Sequence, residues 1–176
     1  ATHFYVSFLV DTTLPVLRLV EDEYVVYYDN GVWSVFFDGT AYGLVNAGHD
    51  IDALDVVAGI LYFSTSGSGN TSAIPGVAGP YDDADIYAWD GTSFSRVFDA
   101  SLVGLPGVAD IDGLVYVGAN TFYLSFNATE LTLLGIGPVQ DEDVVLNDNG
   151  NWSLFFDGTA VGLTQGGQDL DAIDIP

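Results

Sequence analysis

The sequence predicts an all-β protein built from about three copies of one acidic repeat. Two segments, residues 22–56 and 141–175, align without a gap and share 22 identities over 35 positions. Val, Ile, Tyr, Phe and Trp fill short segments that are separated by Asn-Gly and Asp-Gly turn signals. No stretch keeps an apolar period of 3.6 residues, so we expect little helix.

One unit of about 60 residues contains four β segments, which we call a to d. In the first copy they read VVYY (a), WSVFF (b), IDALDV (c) and LYFST (d). A weaker middle copy starts at Asp83, with Phe94 in place of the Trp and Ala100 in place of the Gly of Asp-Gly. The predicted division is a lone d strand at 1–20, units at 21–80 and 81–140, and a unit at 141–176 that lacks its d strand.

Turn residues define the ends of segments a and b. Asn30-Gly31 and Asn149-Gly150 lie between a and b, and Asn-Gly is the strongest short hairpin signal. Asp-Gly pairs follow segment b in both close copies. Strand alternation sends adjacent side chains to opposite faces, so Phe36-Phe37 predicts a sheet that is covered on both faces.

Four antiparallel strands that repeat radially are typical of a β-propeller blade. The sequence begins with a d segment and ends after c, so the first strand is expected to complete the last unit. Three blades are fewer than the four or more of ordinary propellers. The strand therefore closes either its own chain or a neighbouring subunit by β-strand addition. Residues 1–10 are the candidate donor strand, with an apolar face formed by Phe4, Val6 and Phe8.

The charge balance excludes two classes of partner. Arg18 and Arg96 are the only Lys or Arg residues against 25 acidic ones, which gives a formal net charge of −23. Nucleic acids and anionic membranes require basic residues, so neither is an expected partner. No apolar run approaches the ~18 residues of a membrane span, and we expect no membrane insertion. Because 49% of the chain is hydrophobic, we expect a folded protein whose self-repulsion is offset by cations or salt.

Several features predict a secreted, extracellular or cell-surface protein. The sequence contains no cysteine, which excludes disulfides and thiol catalysis. It begins at Ala1 rather than Met, as after signal-peptide removal. Three N-glycosylation sequons occur, at Asn70, Asn127 and Asn151.

Repeated acidic clusters predict a cation site, with calcium as the candidate cofactor. Carboxylates two apart on a strand point to one face, so Asp50 and Asp52 could direct two oxygens at one point, as calcium requires. The alternative is that these residues are solvated strand ends and turn residues. The candidate ligands are Asp50, Asp52 and Asp55, their counterparts Asp169, Asp171 and Asp174, and the residues Asp22, Asp141 and Asp143 before the a strands; Asp110 and Asp112 repeat the pattern in part.

We expect no enzymatic activity. Paired carboxylates suggest a glycosidase, but here they recur with the repeat, whereas an active site is usually unique. His49 aligns with Gln168, so that position does not demand an imidazole. The sequence contains no nucleophile elbow, phosphate loop or zinc spacing. The repeated Trp33 and Trp152 are interpreted as core residues rather than as a sugar-binding platform.

The pattern resembles an acidic repeat of predicted secreted bacterial and archaeal proteins. Its elements here are Asp141-Glu142-Asp143, Trp152 to Gly158, Gly162-Leu163 and Asp169 to Ala172, with close copies at 22–53. The resemblance covers nearly the whole chain and implies location and propeller-like architecture rather than chemistry. Together these observations favour an extracellular structural protein that polymerises through strand exchange. The alternative is a secreted, cation-stabilised module that binds glycans or surface proteins.

Overall fold

The computed structural model describes residues 2–128 and 130–175 and confirms the all-β class. Ala1, Thr129 and Pro176 lie outside the described residues, and with them the N-terminal residue of the candidate donor segment and the last position of the Asn127 sequon. The strands are β1 His3–Val6, β2 Thr12–Leu14, β3 Arg18–Val20, β4 Val25–Asp29, β5 Val32–Phe37, β6 Ile51–Val57, β7 Ile60–Thr65, β8 Ile86–Trp89, β9 Phe94–Phe98, β10 Ile111–Gly118, β11 Thr121–Phe126, β12 Leu131–Leu133, β13 Gly137–Val139, β14 Val144–Asp148 and β15 Asn151–Phe156.

Helical structure is limited to short turns after the strands. Single 3-10 turns occur at Thr40–Tyr42, Gly69–Ser72 and Ala100–Val103, and the one α-helix of the described residues, α1, is Gly158–Val161. No helix in the described part of the chain is long and apolar enough to cross a membrane.

The long strands form three antiparallel sheets. Sheet 1 has the order β1-β4-β5, sheet 2 the order β6-β7-β8-β9, and sheet 3 the order β10-β11-β14-β15. In segment terms, sheets 2 and 3 read c-d-a-b, whereas sheet 1 reads d-a-b. Two further hairpins, β2-β3 and β12-β13, precede the a strands of sheets 1 and 3 and were not predicted. The corresponding stretch before β8 contains the 3-10 turn Gly69–Ser72 instead.

The predicted hairpins between segments a and b are present. Asn30 and Gly31 join β4 to β5 with positive φ angles of 47° and 99°, and Asn149 and Gly150 join β14 to β15 in the same way. Two consecutive positive φ angles are the requirement of a type I′ turn, which Asn-Gly meets at low cost.

The expectation for Phe36 and Phe37 was wrong. A bulge in the β4–β5 pairing places Val35 opposite Val26 and Phe37 opposite Val25. Both phenylalanines consequently contact Trp89 of sheet 2, at ring distances of 6.4 and 5.0 Å. A bulge adds one residue to a strand, which breaks strict alternation.

The sheets pack face to face in chain order. One apolar cluster joins sheet 1 to sheet 2 and includes Phe37, Phe63 and Trp89. A second cluster joins the other face of sheet 2 to sheet 3 and includes Phe98 and Phe122. Neither cluster contains residues of both sheet 1 and sheet 3. The three sheets are therefore an open stack, not a closed ring.

Candidate functional site

A cleft of about 540 Å³ lies where the c-type segments and β1 approach one another. Its walls come from the end of β1, the starts of β6 and β10, and the C-terminal segment 169–173. Five carboxylates line it, namely Asp52, Asp110, Asp112, Asp169 and Asp171.

Equivalent backbone bonds position the three c-type segments. The N–H of Ile51 donates to the carbonyl of Asp22 (3.1 Å), that of Ile111 to Asp83 (3.3 Å), and that of Leu170 to Asp141 (3.0 Å). We call these three contacts the corner bonds. They show that segment 169–175 begins in the same position relative to its a strand as β6 and β10 do.

The C-terminal segment does not continue as its counterparts do. Asp50 and Asp110 each accept a backbone bond from the d strand beside them, through Ser66 (3.0 Å) and Asn127 (2.9 Å). Within the described residues no equivalent bond joins segment 169–175 to β1, and the segment has no strand pairing. In the part of the chain that the structure describes, β1 pairs with β4 alone, which leaves its other edge open.

Buried carboxyl groups give the cleft its electrostatics. Asp112 is 7% exposed; its Oδ1 accepts a hydrogen bond from the Ser125 hydroxyl (2.7 Å), whereas its Oδ2 has no partner. Oδ1 of Asp110 is also buried without a partner. The nearby Asp110 carboxyl interacts with that of Asp52 and helps to raise the pKa of Asp52.

Burial raises the pKa values of these groups. It is the largest cause for Asp52, whose pKa lies well above its ordinary value, and the Asp110 charge adds to it. Burial likewise raises the pKa of Asp110 to about 6 and that of Asp112 to about 7. At the corner, burial and then hydrogen bonding to Asp82 raise the pKa of Asp83 to about 7. Several carboxyls thus titrate near neutral pH.

Stability should therefore fall as the pH rises. These carboxyls hold protons more tightly in the folded than in the unfolded state between about pH 4 and pH 7. The stabilisation is complete below the unfolded pKa and is lost as pH rises through the folded pKa. Each group then lowers the free energy of unfolding by up to about 1.4 kcal/mol per pH unit.

Urea unfolding from pH 5 to 8 in EDTA measures this effect. Asp112→Asn should reduce the decline with pH, while the control Asp11→Asn, at an exposed carboxylate, should leave it unchanged. An unaltered pH profile for Asp112→Asn would contradict the assignment.

The structure separates the predicted cation ligands into different groups. Asp50 lies with Asp22 in a second cavity, and the Asp22 charge adds to burial in raising the pKa of Asp50. Asp169 similarly lies near Asp141, which adds to the raised pKa of Asp141. Asp52 lines the cleft instead, so Asp50 and Asp52 do not face one point.

Other predicted ligands have structural partners. Asp143 is buried and accepts backbone N–H bonds from Gln140 and Gly158, both at 2.9 Å. Asp55 accepts the N–H of Tyr116 (2.9 Å), which links sheet 2 to sheet 3. Asp174 is exposed on the C-terminal segment. No group of three or more His, Asp or Glu side chains in the described residues is arranged to hold a metal ion.

His49 and its counterpart Gln168 perform one structural task. Nδ1 of His49 accepts the N–H of Asn46 (3.1 Å), and Oε1 of Gln168 accepts the N–H groups of Thr164 and Gln165 (2.8 Å each). Either side chain can close this loop, which is why the position does not demand an imidazole.

The three sequon asparagines are exposed in the structure. Asn70 lies in the 3-10 turn of the Gly/Ser-rich loop, and Asn127 lines the cleft. Asn151 uses its Nδ2, the atom that would carry a glycan, to donate to the carbonyl of Asp148 (3.1 Å). Asn70 is thus the sequon least engaged with its surroundings.

The sequence analysis named Asp110 and Asp112 only as a partial repeat of the acidic pattern and did not place them among the candidate ligands. Asp110 and Asp112 belong to the weaker middle copy, and that copy supplies the most buried carboxylate of the cleft. The available signal was the alignment of Asp110 and Asp112 with Asp50 and Asp52.

Comparison with known proteins assigns neither a family nor a function to this chain. The chain matches no protein-family model, and no curated protein is detectably similar to it.

Proposed function

We propose that this chain is a non-enzymatic, extracellular structural subunit that joins other copies of itself by β-strand exchange. One observation carries the proposal. Within the described residues β1 pairs with β4 alone, and segment 169–175, which shares its pattern with β6 and β10, takes part in no strand pairing. Open edges recruit further strands because their backbone donors and acceptors are unsatisfied.

The repeat specifies how the two elements would pair. In sheet 2, Leu54 lies opposite Phe63 and Val56 opposite Leu61. The equivalent pairs are Ile173 with Val6 and Ile175 with Phe4. Phe4, Val6 and Phe8 thus remain the apolar face of the exchange junction. Since β1 is already paired with β4 of its own chain, the donated element is segment 169–175.

Cysteine cross-linking tests this junction without interference, because the chain has no cysteine of its own. We mix Val6→Cys protein with Ile173→Cys protein under mild oxidation, in about 1 M salt to screen the charge of −23. The expected product is a disulfide-linked heterodimer, because facing strand residues have the separation that a disulfide needs. Asp174→Cys, whose side chain alternates to the other face, is the matched control for Ile173→Cys.

The double variant with both cysteines distinguishes exchange from closure within one chain. Exchange predicts linked multimers. A monomeric, internally linked product alone would contradict the proposal and favour the closed binding module.

A second candidate function is cation-stabilised binding in the cleft. The observation that favours it is the buried, unpartnered Oδ2 of Asp112 among the cleft carboxylates. Such an oxygen is a suitable ligand for a hard cation such as calcium, with backbone carbonyls and water completing the shell.

Calcium titration monitored by the melting temperature tests this candidate. Binding to the folded state should raise the melting temperature with calcium concentration, and Asp112→Asn should remove the rise. An equal rise with sodium chloride at matched ionic strength would show screening alone. A bound glycan or surface protein remains part of this second proposal.

A further inference from the structure

Two apolar sheet faces are left open by the stack. The outer face of sheet 1 includes Phe4, Val6, Tyr28, Trp33 and Val35, which the strand register places on one side together with the fully buried Val26. The outer face of sheet 3 consists of Val115, Tyr123, Leu146, Ser153 and Phe155. The residues named on both faces are uncharged, although the chain has a net charge of −23. One carboxylate, that of Asp148 opposite Thr121 at the end of β14, lies at the margin of the sheet 3 face.

Aromatic rings are concentrated on both faces. On sheet 1, Phe4 lies 5.1 Å from Tyr28 and 5.9 Å from Trp33 between ring centres. On sheet 3, Tyr123 lies 4.6 Å from Phe155. Phe4 is 44% exposed and Phe155 is 52% exposed.

Several of the same positions are buried where a neighbouring sheet is present. Leu61 and Phe122 are the counterparts of Phe4, and both are 0% exposed. Tyr62, the counterpart of Tyr123, is 7% exposed and stacks on Tyr116 of sheet 3 at 3.8 Å. The open faces therefore have the composition of sheet interfaces.

The two internal interfaces follow one rule of orientation. The last residue of each b strand contacts the first aromatic of the next sheet's b strand: Phe37 lies 6.1 Å from Phe94, and Phe98 lies 6.2 Å from Trp152. Continued once more, the rule pairs Phe156 at the end of sheet 3 with Trp33, which belongs to sheet 1.

From this geometry we propose that the outer face of sheet 3 docks on the outer face of sheet 1 of a second copy. The inference rests on the proposed self-association and defines its surface. We choose a second copy of this chain as the partner because its sheet 1 presents the face, with Trp33, that the packing of the two internal interfaces predicts for sheet 3. The open edge of β1 borders the same face, so strand exchange and face docking form one continuous junction. The contact is heterologous, and its repetition gives a ring or an open filament.

A complementation experiment tests the docking. Val35→Asp places a charge on the outer face of sheet 1, and Phe155→Asp places one on the outer face of sheet 3. Each site is exposed, so the fold should persist, as circular dichroism will show. Each variant alone should weaken self-association about 30-fold or more, as removal of an interface hot spot does. Leu134→Asp, at an 82% exposed position of the β12–β13 hairpin, is the control and should associate as the unaltered chain does.

Mixing the two variants gives the decisive result. Each retains one intact face, so the mixture should form a 1:1 pair and nothing larger in sedimentation velocity at about 1 M salt. If both variants assemble like the unaltered chain, face docking is wrong while strand exchange stands. If the unaltered chain itself remains monomeric, the proposed function fails as well.

Discussion

Replacing Arg96 with leucine should lower the free energy of unfolding by about 3–5 kcal/mol, because it leaves a buried carboxylate without its cation. Arg96 Nε lies 3.3 Å from Oδ2 of Asp85, which is 1% exposed. Its Nη1 binds Asp99 at 2.8 Å, and its Nη2 donates to the carbonyls of Ala78 and Pro80. One side chain thus holds the loop before β8 against the end of β9.

Arg18→Leu is the matched control, since it removes the same charge from an exposed position. It should leave the melting temperature nearly unchanged, whereas Arg96→Leu should lower it by roughly 10 °C. Burial already raises the pKa of Asp85. The loss should therefore be smaller at low pH, where protonation of Asp85 removes the unpaired charge, than at pH 8. A pH-independent loss equal to that of the control would contradict the ion-pair explanation.

Gly158→Ala should also destabilise the fold strongly. A Cβ at Gly158 would lie 2.4 Å from the carbonyl oxygen of Glu142, and a Cβ at Gly39 would lie 2.4 Å from that of Glu23. Because a backbone atom cannot rotate away, the turn after β15 must shift. We expect a cost of about 1–3 kcal/mol or more in urea unfolding.

Gly118→Ala is the control, because its Cβ would meet no atom within 4 Å. The middle unit suggests a rescue: it has Ala100 at the glycine position and Ala84 at the glutamate position, and both are buried. The Cγ of Glu142 would also lie 2.4 Å from the new Cβ. Adding Glu142→Ala to Gly158→Ala removes that atom, although not the carbonyl oxygen, and should restore part of the stability. If Gly158→Ala and Gly118→Ala have equal free energies of unfolding, the prediction is wrong, because the turn then accommodates the added Cβ without cost.

The sequence predicted the strands where local chemistry determines them. Asn-Gly turns require positive φ angles, and β-branched and aromatic residues favour strands, so the a–b hairpins could be located. The short hairpins β2-β3 and β12-β13 were missed because they depend on packing: Val20, Leu131 and Leu133 are buried beneath them. The local sequence pattern does not indicate that these residues are buried.

The candidate site was predictable in composition but not in arrangement. Repetition singled out the aspartates, and strand alternation suggested that Asp50 and Asp52 act together. The fold instead turns Asp50 toward Asp22 and Asp52 toward Asp110 of the next sheet. Contacts between units depend on how the sheets stack, which periodicity along one strand does not encode.

The corner bonds have a consequence for how such a chain can change its length. Each is made by main-chain atoms, and the bond at Asp83 persists although the middle unit differs from the others at Phe94 and Ala100. A duplicated c-d-a-b module inserted between two existing modules could form the same corner bond with each of its neighbours. Duplication or deletion of a module can therefore lengthen or shorten the protein in whole modules, with each new neighbour fitting the one before it.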